Sequence, residues 1–448
     1  MNPILWFKEI HFEDVAIVGG KGANLGEMYN LGIPVPNGFV VTAPAYFQFI
    51  EFNQLQPTIK SVLGTMDVDQ PDQLLIASEK IKKLIKHSPI PQATAVAIMK
   101  AYKRLSDLGG IKNVHVAVRT SATAEDTLDA SFAGQGETFL NVVGEANVIN
   151  RVRDCWASLF TPRSIFYQVK KDYDHFQIGV AVPVQKLVRS DISGVCFTIN
   201  PVTNEKNQII IEAIWGLGEY IVQGKVTPDQ YVVDKNTWEI TSKTIKPQLI
   251  ELVKSKLETK EVRVPATRQR RSKISNELVV KIAKIAQKLH NHYGKGQDIE
   301  FAIENGRFYV VQTRPITTVL SSQRILDQQI KISSPADLRG EPASPGSASG
   351  EVIVIHSPTQ IKRVKAGQIL VTAMTTPDFV PAMKKASGII TDKGGQTSHA
   401  AIVSRELGVP CVVGTRNATK VLKGGSTITL NGTTGEVWFG NLISQQTV

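Results

Sequence analysis

Apolar residues recur along this chain in two rhythms, and the rhythm changes near residue 340. From 275 to 292 the period is helical: Leu278, Ile282, Ile285 and Leu289 form one stripe, Ser275 precedes them as a cap, and Gly294 follows as a stop. Asp298–Ile303 and Arg307–Gln312 then read as two strands around a Glu304-Asn305-Gly306 turn, since Asn-Gly is a strong hairpin signal. Near the N-terminus, Gly20–Leu31 reads as a short helix after a glycine turn, with Leu25 and Met28 on its apolar side. Beyond 340 the apolar runs are short and strand-like: Glu351–Ile355, Gln368–Val371, Gly388–Ile390, Cys411–Val413, Thr427–Leu430 and Glu436–Trp438, with a helix after His399. Between the two parts, residues 318–350 are polar and rich in serine, proline and glycine. The pattern predicts a compound unit over 1–317, a linker over 318–340, a compact α/β domain over 341–440 and a tail over 441–448. The 448 residues are too many for one core, which fits this division.

The most informative stretch is 388–414. His399 follows the Gly394-Gly395 turn and two hydroxyl residues, Thr397 and Ser398, where a buried strand gives way to a helix start. Free backbone N–H groups at such a start favour an anion, and an imidazole there can act as a nucleophile toward phosphorus. Four further segments carry candidate nucleotide chemistry. Gly19-Gly20-Lys21-Gly22 opens a helix with a lysine inside a glycine cluster, although its spacing is not that of a Walker loop and it reads equally as a glycine-rich turn. Val116–Arg119 delivers an arginine to the hydroxyl-rich turn Thr120-Ser121, and Ser131–Gly136 is small enough to close over phosphates. Ala181–Val188, which contains Gln185 and Val188, reads as an apolar strand lining a purine pocket, and Glu212 and Glu219 flank a Trp-Gly-x-Gly turn where backbones come close. In the hairpin, Glu300 and Gln312 read as cross-strand neighbours on one face, able to hold Mg²⁺, with Arg314 on the same face as Gln312. A solvent-facing polar pair is the alternative there.

Gly394-Gly395-Gln396-Thr397-Ser398-His399-Ala400-Ala401-Ile402, with Ser404-Arg405-Glu406, Gly408, Pro410 and Val412-Val413-Gly414, resembles the phosphohistidine domain of the PEP-utilising enzymes, phosphoenolpyruvate synthase and pyruvate phosphate dikinase among them. Gln396 and Ser398 stand where arginine and cysteine are frequent in that family. The upstream segments resemble the family's ATP-binding domain, and the synthase branch fits better than the dikinase branch. The resemblance implies an α+β and α/β multidomain chain, an ATP-grasp unit followed by a swivelling β/β/α phosphohistidine domain. It also implies ATP and Mg²⁺ as cofactors. Lys21, Arg119 and Arg314 would serve on phosphate, Gln185 and Val188 at the nucleotide, Glu300 and Gln312 on the metal, and Thr397 on the imidazole or its phosphate. His399 would attack the β-phosphoryl of ATP, release AMP and, after hydrolysis, carry a phosphoryl group to pyruvate, giving phosphoenolpyruvate.

The synthases continue into a (β/α)₈ barrel that binds pyruvate, whereas this chain stops at Val448. It is expected to carry the ATP half-reaction, with pyruvate or phosphoenolpyruvate, and any homodimer contact, belonging to that absent domain. Two alternatives stand beside this. One is a stand-alone phosphotransferase acting on another small molecule or on a partner protein. Rifampicin phosphotransferases are such relatives, but they place an acceptor domain where this chain has only a linker. The other is an ATP-binding regulatory protein without turnover.

Composition adds little. The hydrophobic share of 42% and charged share of 20% are ordinary for a globular chain. The net charge of +11 suggests nucleic acid, but the basic residues are scattered, with Arg268-Gln269-Arg270-Arg271 the densest run and no interleaved aromatics. No nucleic-acid partner is expected. Cys155, Cys196 and Cys411 are far apart, with neither metal nor disulfide spacing, and fit a reducing, cytoplasmic setting. Neither a signal peptide nor an eighteen-residue apolar run is present in the sequence, so no membrane association is expected.

Overall fold

The computed structural model describes residues 2–123, 136–170, 172–255, 258–316 and 334–443. Spatial proximity along the chain groups it into two compact units: Met1–Arg189 with Lys254–Thr259 and Arg307–Arg314, and Ser190–Val253 with Lys260–Gly306 and Pro315–Val448. This division cuts inside the segment expected as one unit over 1–317.

The first unit is built on strands β1 (Ile4–Trp6), β2 (Gly38–Val41), β3 (Val116–Arg119), β4 (Ser121–Ala122), β5 (Thr138–Val142) and β6 (Val180–Lys186). They make an antiparallel sheet of order β1-β2-β6-β3-β5, with β4 also on β6. Helices cover it through an apolar cluster that includes Phe39, Tyr46, Phe49, Ile81, Ile98, Trp156 and Phe160. The N-terminal helix runs from Val15 to Asn30 and breaks its geometry at Gly19 (φ 69°). The helical run proper therefore starts at Gly20, as the sequence predicts, with Leu25 and Met28 buried.

The second unit begins with β7 (Ile192–Phe197), β8 (Gln208–Trp215), β9 (Asp229–Asp234), β10 (Ile240–Thr244), the ribbon β11 (Ile250–Lys254) and β12 (Thr259–Arg263), and β13 (Gln297–Glu304). Its main sheet is antiparallel in the order β10-β9-β8-β7-β13. Gly216 (φ 83°) lets the chain turn tightly where a Cβ would lie 2.5 Å from the Leu252 carbonyl, the close approach expected of the Trp-Gly-x-Gly turn. The Asn276–Tyr293 helix is capped by Ser275, which accepts from the Leu278 amide, and ends at Gly294 in the left-handed region. Its buried stripe is Val279, Ile282, Ala283, Ala286 and Leu289. Leu278 and Ile285, placed on the predicted stripe, sit at its margin, because the two alanines turn the closest-packing side by one position. The hairpin turn is as expected: Asn305 (φ 49°) and Gly306 (φ 75°) separate β13 from β14 (Arg307–Pro315).

The C-terminal part of the second unit is an eight-stranded sheet of β15 (Leu338–Arg339), β16 (Glu341–Ser344), β17 (Ser347–Val354), β18 (Ile369–Thr372), β19 (Gly388–Thr391), β20 (Cys411–Val413), β21 (Thr427–Asn431) and β22 (Glu436–Phe439). The order is β15-β22-β21-β17-β18-β19-β20-β16, with β17 to β20 parallel. Alternate residues of the parallel strands feed two separate cores. Leu370, Ile389, Cys411 and Val413 join the helix residues Ala400, Ala401 and Val403, while Ile369, Val371, Ile390 and Val412 join Ile428, Leu430 and Val437. Neither cluster draws on β7–β13. The domain begins before 341, since Leu338 pairs with Val437. Most of the expected linker, from 318 to 333, lies outside the described residues.

Inside the first part of this unit, Asp229 and Lys273 form a fully buried ion pair at 2.6 Å. The Lys273 ammonium also donates to the Lys246 carbonyl, and Asp229 accepts from the Lys246 and Lys273 amides. Burial depresses the Lys273 pKa, and Asp229 opposes that. Removing one member strands the other charge. Asp229→Ala should therefore lower the opening free energy of the β9 amides by about 3–5 kcal/mol. Native-state hydrogen exchange reads this directly, and the exposed Lys206→Ala should stay within about 0.5 kcal/mol of the parent.

Candidate active site

The first unit gathers most of the expected nucleotide residues. Gly19 must be glycine twice over: its φ is positive, and a Cβ would sit 2.2 Å from Ser121 Oγ. The Gly22 amide donates to the same hydroxyl at 3.2 Å. The glycine turn that carries Lys21 is thus laid against the Arg119-Thr120-Ser121 segment, and Lys21 Nζ lies 3.5 Å from where a Gly136 Cβ would be. Arg119 Nη1 donates to the Val311 carbonyl at 3.4 Å and to Gln312 Oε1 at 3.3 Å. Ala117 opposes Gln185 across β3 and β6, and the two-residue period of β3 puts Arg119 on the same face as Gln185. Val188 is buried just past β6, and Arg314 is half-buried two positions beyond Gln312. Gln185 Nε2 and Arg119 Nε are buried donors with no hydrogen-bond partner among the described residues. Buried donors without acceptors are costly, and the nitrogens and phosphate oxygens of a nucleotide supply acceptors. Of the Ser131–Gly136 loop, positions 131–135 lie outside the described residues.

The expected metal pair is divided. Gln312 belongs to the first unit, with Arg119, whereas Glu300 belongs to the second. On its own strand Glu300 has another acid, Asp298, which lies two residues earlier and so on the same face. No cluster of three or more His, Cys, Asp or Glu side chains suited to a metal occurs among the described residues. One or two carboxylates fit the way Mg²⁺ is commonly held, with substrate phosphates completing its shell. Asp298 was read in the sequence only as the first residue of a strand.

His399 opens the His399–Leu407 helix, capped by Ser398, whose hydroxyl accepts from the Ala401 amide and donates to the Gly395 carbonyl. Gly394 (φ 109°) makes the turn, and a Cβ there would collide with Ser398. Arg405, in the last turn of the helix and 4% exposed, reaches back to donate to the Gln396 and Ala343 carbonyls, both at 2.8 Å. The loop before His399 is therefore pinned to its own helix and to β16. His399 Nδ1 lies 2.8 Å from Thr375 Oγ1, in the loop after β18. Thr397, expected on the imidazole or its phosphate, donates its hydroxyl here to Glu212 Oε2 at 2.6 Å. Glu212 Oε1 accepts from the Gln396 amide at 2.9 Å. The carboxyl is fully buried, and burial raises its pKa against the opposing pull of these hydrogen bonds, with Glu341 adding to the rise. Thr375 and Glu212 reach the loop from 24 and 184 residues away in sequence, so no local motif marks them as partners.

A hydroxyl can accept from Nδ1–H or donate to a bare Nδ1, so the Thr375 contact orients the ring, and Nε2 is the nucleophile when Nδ1 carries the proton and donates to Thr375. Thr375→Val should change the ¹⁵N shifts of His399 toward a mixture of neutral tautomers, and Thr375→Ser should restore the parent pattern. Identical spectra for all three proteins would show that the hydroxyl does not set the tautomer.

No helix among the described residues is long and apolar enough to cross a membrane. The model of the pyruvate phosphate dikinase AMP/ATP-binding domain matches residues 15–332, and that of the mobile domain of PEP-utilising enzymes matches residues 364–435. The phosphoenolpyruvate synthase of Pyrococcus furiosus is 45% identical over 98% of this chain and 58% of its own length. A probable phosphoenolpyruvate synthase of Archaeoglobus fulgidus is 47% identical, with the same two shares covered, and the phosphoenolpyruvate synthase of Aeropyrum pernix is 42% identical over 99% of this chain and 58% of its own length. The chain thus spans 58% of the length of these relatives. It belongs to the pyruvate phosphate dikinase AMP/ATP-binding family, and its ATP-binding part is followed by the mobile, phosphohistidine-type domain of the PEP-utilising enzymes.

Proposed function

We propose that this chain performs the ATP half-reaction of phosphoenolpyruvate synthesis, with His399 as the phosphoryl carrier. The observation that carries this reading is the placement of His399. It stands at the first position of a capped helix, on a pinned loop, with Nδ1 engaged by Thr375. An imidazole held through Nδ1 reacts through Nε2, and the amides of the helix start favour the anion that forms. In the proposed step Nε2 bonds to the β-phosphorus of ATP, the bond from that phosphorus to the bridging oxygen breaks, and AMP leaves with the oxygen. Water then removes the terminal phosphate and leaves phosphohistidine.

Lys21 and Arg119 would bind phosphate oxygens, with Gln312 aiming the guanidinium through its hydrogen bond and Arg314 adding charge from the same strand. Gln185 Nε2 would donate to the purine ring, and Val188 would pack against it. Glu300 and Asp298, on one face of β13, are the side chains that would hold Mg²⁺, which supplies charge neutralisation on the phosphates when bound. The proposed acceptor of the phosphoryl group is pyruvate. Its site would lie in the part of the relatives that this chain does not match.

Incubation with Mg²⁺ and ATP labelled with ³²P at the β-position should label the parent chain, release AMP, and leave His399→Ala unlabelled. ATP binding without AMP release would make the chain a binding module instead. Asp298→Asn and Glu300→Gln should each raise the Mg²⁺ concentration for half-maximal labelling about tenfold or more, the scale of losing one charged ligand. An unchanged requirement would remove β13 from the metal site. With pyruvate added, the chain alone should not form phosphoenolpyruvate at the roughly 1–10³ s⁻¹ of ordinary enzymes. Turnover in that range would place the acceptor site within these residues.

A further inference from the structure

Glu212 holds the His399 loop from outside its own domain. The residue sits on β8 and is 1% exposed. Its two oxygens take the Gln396 amide and the Thr397 hydroxyl, and Gln230 Nε2 lies 3.5 Å from Oε1. The register of the sheet gives this carboxyl a definite place. Gln230 opposes Glu212 across β9 and β8, Glu212 opposes Val195 across β8 and β7, and Val195 opposes Glu300 across β7 and β13. Directly opposed residues share a face, so Glu212 and Glu300 project from the same side of the sheet. Two strand spacings separate them, about 10 Å.

The loop is shaped for this contact. A Cβ on Gly395 would lie 2.9 Å from Glu212 Oε1 and 2.8 Å from Pro228 Cγ, so only glycine admits the carboxyl. Gly224, in the left-handed region, likewise makes room for Ser398. Lys246 and Glu341 add an ion pair at 2.6 Å between the same two parts of the chain. The apolar clusters of the C-terminal domain do not extend across to β7–β13. A contact made of a few directional polar bonds is specific in register and easily broken, whereas a shared apolar core is neither.

We propose that Glu212 is a positioning residue for the phosphorylation of His399. It captures the loop through the Gln396 amide and the Thr397 hydroxyl and seats it over the face of the sheet that carries Glu300. The histidine, two residues beyond Thr397, is thereby brought to the side of the sheet where the proposed metal acids stand. The inference rests on the reading of His399 as the phosphoryl carrier.

Seating and chemistry are measured separately. Spin labels on Lys206→Cys and Lys365→Cys report the distance between β7–β13 and the C-terminal domain. Both positions are exposed, and the three native cysteines are buried. The parent should give one narrow distance distribution, and Glu212→Ala a broad one. Gly395→Ala should broaden it from the other side, since its methyl group meets the carboxyl. Glu212→Gln, which keeps one acceptor, should fall between. Single-turnover labelling of His399 at saturating Mg-ATP should slow about tenfold or more in Glu212→Ala and Gly395→Ala. ATP affinity should remain within about twofold of the parent, because neither residue is among the proposed nucleotide ligands. If the parent is not labelled at all, the reading of His399 fails, and the distance measurement still judges the latch. A parent distribution that is already broad, or narrow distributions retained by both variants, would overturn the proposal.

Discussion

A buried guanidinium holds the working loop of this protein. Arg405 ties the Gln396 carbonyl to the Ala343 carbonyl and thereby fixes the turn before His399 to both its own helix and the edge strand β16. Burying a charge so fully costs several kcal/mol unless its hydrogen bonds are met, and the two carbonyls at 2.8 Å meet them. The other features of the loop build on this. Ser398 can cap the helix because Gly395 is held beneath it, and His399 can meet Thr375 because the helix start is fixed over the end of β18. A phosphoryl carrier must present one nitrogen repeatedly in one geometry, and local rigidity of this kind provides it.

Mobility has to come from elsewhere, and the distribution of apolar surface shows where. The C-terminal domain closes two cores of its own on either face of the β17–β20 sheet. Among the described residues, its links to β7–β13 include polar ones, the Glu212 carboxyl and the Lys246–Glu341 ion pair, and glycines that allow close approach. Rigid within and lightly fastened without is the arrangement that the proposed role of His399 as a phosphoryl carrier would require.

Much of this was legible in the sequence where the signal is local. The Asn305-Gly306 turn, the Ser275 cap with its Gly294 stop, and the strands from Gly388 to Trp438 follow from short-range chemistry and appear where expected. The polar stretch entering the C-terminal domain hid β15 and β16. β16 contains Pro342 and lies at the sheet edge, where proline is tolerated and strand patterning is weak. Thr375 was invisible for another reason. It meets His399 because β18 and β19 run parallel, so their ends lie together across a long connection. The partners of Thr397 and Gln396 lie 184 to 185 residues upstream, and no spacing rule reaches that far. The glycine pair at 394 and 395 was readable as a turn. That the second glycine admits a carboxylate from another part of the chain was not.

The central claim is that the loop presents His399 Nε2, and no other atom, to phosphorus. Phosphorus NMR of the chain after reaction with Mg-ATP, with ¹⁵N-labelled histidine, tests it directly. The account predicts one acid-labile phosphoryl group coupled to Nε2 of His399. A phosphoryl group on Nδ1, or an acid-stable one on the Thr397 or Ser398 hydroxyl, would contradict it.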